Sequence, residues 1–213
     1  MIGRGNDYLP YFIQALQRAA TEGLGRNRES MKLIDVWQAN PVETESWVRI
    51  YRPEERLEPF AASVPVVPSV PPAMRMRMKT PVRLQREERL VTPDLFRFSD
   101  LFGALLRRVS MLSYFHSDSA LETDFATLME QARRVELTEK KLVWREWTRY
   151  SSRQKTAMQM GGLVGEVALE LEADSPFWPY LWIGQWIHVG KGTSMGLGHY
   201  TIEAASLPNY RAR

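Results

Sequence analysis

Arg75-Met76-Arg77-Met78-Lys79-Thr80-Pro81-Val82-Arg83-Leu84 alternates basic and apolar side chains. A period of two marks a strand with one buried face and one solvated face. Pro81 has no amide to give to a ladder, so that end of the strand lies at an edge or a bend. Beyond it, Asp100 can cap a helix in which Leu101, Leu105, Val109 and Leu112 line one side, with Phe102 and Leu106 beside them. A further helix is expected over 120–134. Leu137 to Tyr150 reads as a long strand. Thr156 to Leu171 reads as another, bent around Gly161, Gly162 and Gly165. Ser175-Pro176 opens a short aromatic helix that runs to His188, and Leu197 to Ala204 is a closing strand. The order β-α-(α)-β-β-α-β is that of a ferredoxin-like, RRM-like α+β domain, an antiparallel sheet with helices on one face.

The sequence before it is different. Asp7 to Thr21 has the helical spacing of Leu9, Phe12, Ile13, Leu16 and Ala20, with Asp7 as a cap and Pro10 in the first turn. Met31 to Gln38 and Trp47 to Tyr51 read as strands. An α-β piece of this kind cannot close a sheet by itself, so it is expected to be an incomplete N-terminal half of a second ferredoxin-like domain. Pro65, Pro68, Pro71 and Pro72 favour extended backbone and mark the break. The expected division is 1–57 for the partial N-terminal domain, 58–73 for a proline-rich linker and 74–213 for the C-terminal domain.

The chain has 213 residues, with 28 Lys and Arg against 25 Asp and Glu, three His and no Cys. Absence of cysteine excludes disulfides, thiolate metal sites and a Cys nucleophile. No run approaches the roughly 18 apolar residues of a membrane helix, and Met1 to Pro10 lacks a signal-peptide pattern. No membrane partner is expected, and the location expected is cytoplasmic. The small net charge of +3 is unevenly spread. Residues 75–108 hold nine basic side chains against four acidic, and residues 140–155 hold six against one. Two basic blocks suit a polyanion if they fold onto one face; the alternative is two solvated strand faces.

The sharpest local signal is His188-Val-Gly-Lys-Gly-Thr-Ser-Met-Gly-Leu-Gly-His-Tyr200. Gly190, Gly192, Gly196 and Gly198 let a backbone turn its amides outward and let a phosphate come close. Lys191 adds charge, and Thr193 and Ser194 add hydroxyl donors. The segment joins a helix to a strand, unlike a Walker loop, which follows a strand and precedes a helix. The same glycines would also suit a tight structural turn. Around the 150s, Arg149, Arg153 and Lys155 flank a strand turn beside Tyr150. Arginine forks suit phosphates and a tyrosine can stack on a base, although an exposed basic hairpin is the plainer reading.

These strings resemble the RAMP superfamily, specifically the CRISPR-associated endoribonucleases that process repeat RNA. The resemblance rests on GKGTSMGLGHYTIE at the end of the chain, together with KTPVRL (Lys79–Leu84), LLRRVSMLSYFH (Leu105–His116) and RYSSRQKTAMQMGGLVGEV (Arg149–Val167). The N-terminal GRGNDYLPYFIQAL and GLGR pieces are also similar to the family. It implies two tandem ferredoxin-like domains. It further implies RNA contact at Gly190, Lys191, Gly192, Thr193, Ser194, Gly196 and Gly198, with Arg149, Arg153 and Lys155 beside them. The expected partner is CRISPR repeat RNA or crRNA; other effector subunits and a homodimer are compatible with the family. Many relatives carry a catalytic His in a first-domain region that this chain is expected to lack.

Family-type cleavage is metal-independent, with the ribose 2′-hydroxyl attacking the adjacent phosphorus to give a 2′,3′-cyclic phosphate. It needs a base, a cation and an acid, and imidazole suits the proton transfers. His116, His188 and His199 are the histidines present. His116 follows Arg107 and Arg108 at a helix C-terminus, which favours imidazolium, and is the expected catalytic residue; a C-capping role is the alternative. No His, Asp and Glu stand at metal-ligand spacing, so neither a metal nor a cofactor is expected. A non-catalytic RAMP-type subunit that holds crRNA is the competing expectation.

Overall fold

The computed structural model describes residues 1, 3–25, 27–40, 46–61, 66–117, 120–151 and 155–204, without the Ser151 side chain. The chain divides into two compact units, residues 1–66 with 116–118 and residues 67–115 with 119–213.

In the first unit a 3₁₀ turn over Gly3–Tyr8 leads into helix α1, Leu9–Glu22, with Pro10 in its first turn. Asp7 is not the cap, because the 3₁₀ turn carries the helical path through it and puts Tyr8 at the N-cap, where no side chain caps the amides. Strand β1, Val36–Ala39, pairs antiparallel with β2, Trp47–Tyr51. The strand expected over 31–38 is shorter because β2 is only five residues long and gives Met31–Asp35 no ladder partner. Ile13 and Ile50 are buried, whereas Tyr11, Phe12, Leu16, Trp37 and Trp47 stay exposed. Asp35 binds Arg52 (Oδ1 to Nε, 2.9 Å), and that hydrogen bond holds its carboxyl below the usual carboxylate range.

The second unit is built around β3, Ala73–Val82, the strand with which the sequence reading began. A two-residue hairpin, β4 Gln85–Arg86 with β5 Arg89–Leu90, leads to helix α2, Phe98–His116, and then to α3, Phe125–Ala132. Strands β6, Glu139–Arg145, and β7, Thr148–Ser151, follow, then β8, Thr156–Gln159, and β9, Gly162–Glu170. Helix α4, Trp178–Ile187, and β10, Tyr200–Ala204, complete the unit. The sheet order is β10-β3-β9-β6, with every pair antiparallel. Counted within the unit that is strand order 4-1-3-2 on a β-α-β-β-α-β chain, the ferredoxin-like arrangement.

Alternation along β3 fixes which face is inside. Met74, Met76 and Met78 are almost fully buried, each adding about 1.5–3 kcal/mol from removal of apolar surface. Leu163, Val167 and Leu169 of β9 lie in the same core as Leu101, Phe102, Leu105 and Leu106 of α2. Phe98, Phe102 and Phe177 form an aromatic cluster with ring centroids 4.8–5.8 Å apart. The opposite face carries the arginines, and it is not a free basic surface. Arg75 pairs with Glu139 and Glu166, and Arg77 with Glu166 and Glu203.

Two expectations need revision. Asp100 lies inside the first turn of α2, which begins at Phe98, and is drawn there by the guanidinium of Arg86 while accepting the Arg97 amide at 2.9 Å. The long strand expected over 137–150 is two strands. β6 pairs with β9, but β7 pairs with β8, so the hairpin leaves the sheet as a separate two-stranded ribbon. Glu146 marks the break, its carboxylate accepting the Trp144 indole N–H at 2.6 Å. Among the described residues no helix is long and apolar enough to cross a membrane.

Candidate functional site

The glycine-rich loop runs from the end of α4 to the start of β10. His188 ends the helix with φ 62°, its amide bonded to the Gly184 carbonyl at 2.9 Å. From there the loop is stitched to the end of β3 and to the residue that follows it. The Lys191 amide donates to the Arg83 carbonyl at 2.9 Å, and the Gly198 amide to the Pro81 carbonyl at 3.0 Å. Gly190 and Gly198 have φ of 88° and 79°, and a β-carbon on either would collide with the carbonyl of Arg83 or Val189. Both positions therefore require glycine to hold the loop against the protein, the tight-turn reading that the sequence offered beside the outward, phosphate-facing one.

The outer part of the loop is open. A 3₁₀ turn over Thr193–Met195 sits between Gly192 and Gly196, both left-handed. Lys191, Ser194, Met195 and Gly196 are exposed, and nothing lies within 4 Å of where a Gly196 β-carbon would be. Among the described residues the amides of Gly192, Thr193 and Ser194 have no acceptor. This rim offers one ammonium, an exposed hydroxyl and three unengaged amides, the chemistry that recognises a phosphate oxygen.

Thr80 ties the rim to β3. Its hydroxyl donates to the Gly196 carbonyl at 2.9 Å and accepts the His199 amide at 2.9 Å. The rings of His188 and His199 stack below, centroids 5.1 Å apart and planes within 18°. His188 Nδ1 lies 3.0 Å from the Leu197 carbonyl. That oxygen can only accept, so Nδ1 carries the proton. Burial, and then the neighbouring His188 and Lys79, lower the His199 pKa below 6.5.

The β7–β8 ribbon reaches the same loop, since Arg149 Nη1 lies 2.7 Å from Met195 Sδ. Arg149, Tyr150 and Lys155 are exposed, and Lys155 occupies the ribbon turn with φ 50°. Arg153 lies outside the described residues. Arg83, counted in the sequence only as one charge in a block, is an organising residue here. Its guanidinium binds the carbonyls of Gln159 (2.6 Å) and Gly161 (3.3 Å), while its own carbonyl holds the loop. Nothing in its local sequence distinguishes it from the other arginines.

His116 is exposed at the last residue of α2 and is grouped with the first unit. Of the two arginines before it, Arg107 faces solvent. Arg108 turns inward and donates from Nε to the Ile187 carbonyl at 2.6 Å, its pKa lowered by burial. It secures the C-terminus of α4 directly before the loop.

A family model described as CRISPR-associated endoribonuclease Cas6 matches residues 76–200. A second, described as an N-terminal domain, matches residues 1–62. Solved structures similar to the chain include the Cas6 of Thermus thermophilus, at 20% identity and TM-score 0.48 over 64% of this chain and 55% of that one. A Cas6 product complex is similar at 19% identity and TM-score 0.47, over 63% and 52%. A partial Cas6-RT-Cas1–Cas2 complex is similar at 19% identity and TM-score 0.46, over 65% of this chain and 24% of that one. The chain thus spans about half or less of the length of these relatives. No curated protein matches it.

Proposed function

The chain belongs to the family of the CRISPR-associated endoribonuclease Cas6, and from that membership we propose that it binds CRISPR repeat RNA and cleaves it to release crRNA. The observation that carries the reading is the open glycine rim, with Lys191 exposed on it and Arg149 of the ribbon against it. In the proposed reaction the ribose 2′-oxygen bonds to the adjacent phosphorus as its proton passes to a base. The bond from phosphorus to the 5′-oxygen breaks, and an acid returns a proton to that oxygen. The products are a 2′,3′-cyclic phosphate and a 5′-hydroxyl, with no metal required. Lys191, Arg149, Arg153 and Lys155 balance phosphate charge, and His116 is the proposed proton-transfer group.

A Lys191→Ala, Arg153→Ala double variant tests the surface. Loss of two phosphate contacts should lower the salt slope of log K by about 1–2 and weaken repeat binding, read by titration across salt concentrations. Unchanged affinity would remove the surface. Labelled repeat RNA incubated with the full chain in EDTA should yield a cyclic-phosphate end, and His116→Ala should abolish it while binding persists.

One observation favours a second reading, a RAMP-type subunit that holds crRNA without cutting. His188 is bound into the loop's own scaffold through Leu197, which leaves fewer imidazoles for an acid and a base together. Binding without any cyclic-phosphate product from the wild-type chain would select it.

A further inference from the structure

The stacked histidines have no part in the reaction above, and their setting is unusual for buried imidazoles. His188 comes from the end of α4 and His199 precedes β10, and both rings are half-buried. The charged groups around them are cations. Lys79 of β3 acts on His199, and Arg108 of α2 holds the carbonyl just before His188. Lys191 follows two residues beyond Val189 on the loop. The acidic residue nearest along β10, Glu203, is engaged with Arg77 on the ion-paired face of the sheet. Two imidazolium rings 5.1 Å apart repel each other, so a proton on one opposes a proton on the other. A carboxylate would relieve that repulsion, and among the described residues the charged groups that act on His199 are His188 and Lys79. An anion arriving from outside would do the same.

We propose that His188, His199 and Lys79 form a proton-linked phosphodiester site beneath the glycine rim, so that RNA binds there with uptake of a proton. The proposal rests on the reading that the rim faces RNA. A phosphodiester carries one negative charge and two free acceptor oxygens. These match the Lys79 ammonium and an imidazole N–H made available when the pair takes up its proton. With Nδ1 of His188 engaged by Leu197, Nε2 is its nitrogen left to meet a ligand. The sign follows from the surroundings. Without a ligand, His199 resists protonation and is neutral near pH 7. A bound phosphate raises its pKa, so the bound state holds more protons and affinity grows as the pH falls through the range between the free and bound pKa values.

Repeat RNA should bind the full chain more tightly by up to about tenfold per pH unit between pH 7.5 and 5.5, the limit for one linked proton. Calorimetry in two buffers of different ionisation enthalpy should register that proton. The uptake should vanish in His199→Gln, whose affinity for RNA should no longer rise as the pH falls. In the wild-type chain, NMR titration of the three histidines with dimethyl phosphate should raise the His199 pKa and leave His116 unmoved, which needs no variant to fold. RNA binding without proton uptake, or with the same uptake in His199→Gln, would overturn the site and leave the proposed function standing. A His199 shift with dimethyl phosphate but no RNA binding would sustain the site and overturn the function. A shift with inorganic phosphate alone would overturn the phosphodiester assignment in favour of free phosphate.

Discussion

Tyr200 shows how closely single atoms are fitted beside the candidate site. Its ring is fully buried, which pushes the phenol pKa up, and its hydroxyl donates to the Leu181 carbonyl at 2.8 Å. The hydroxyl occupies the space that a side chain at Gly184 would take. Gly184→Ala should therefore cost about 1–3 kcal/mol by overpacking, and Tyr200→Phe about 1 kcal/mol through the lost hydrogen bond. The pair should be less destabilised than the sum, by at least about 0.5 kcal/mol, because removing the hydroxyl opens room for the methyl. Urea denaturation of the four proteins measures the coupling, and strict additivity would contradict this account. Neither residue announces the other in the sequence. Gly184 has no side chain to pattern, and the alternation of His199 and Tyr200 leaves open which of the two faces inward.

At the scale of elements, what could be read was periodic. Strand β3 stands where the alternation from Arg75 put it, and Leu101, Phe102, Leu105 and Leu106 are the buried stripe of α2. The ends were harder to read because they depend on partners far along the chain. The ribbon separates from the sheet because β7 finds β8 instead of β9, a choice no local pattern encodes. Likewise, the inward amides of Lys191 and Gly198 are fixed by the carbonyls of Arg83 and Pro81, more than a hundred residues earlier. Of the caps expected at Asp7 and Asp100 neither holds, and the local cap of α3 was not singled out. Asp124 caps α3, accepting the Thr127 amide at 3.0 Å, and that bond lowers its carboxyl pKa. Asp124→Ala should lower the denaturation midpoint with an unchanged slope. Protonating the carboxyl at low pH should likewise destabilise the wild type, whereas the variant should lack that loss.

Across the molecule, the charge pattern was misleading until the sheet was assembled. The first basic block looked like a polyanion surface, yet Arg75, Arg77 and Arg86 are matched by carboxylates, and Arg83 and Arg108 bind carbonyls. The exposed cations of the candidate site are instead Lys191 on the loop and Arg149 and Lys155 on the ribbon. Positive charge in a sequence is therefore a poor guide to surface potential wherever a strand brings acids alongside it.

The Trp178 indole N–H donates to the Pro68 carbonyl at 2.7 Å, so part of the proline-rich stretch belongs to the second unit. A protease or an engineer separating the halves must respect that bond. A fragment starting at Val67 should keep its indole fluorescence and melting point, whereas one starting at Met74 should melt earlier and show a red-shifted, wetter tryptophan. What looked like a spacer acts in part as a buckle, and a cut seven residues too late would undo it.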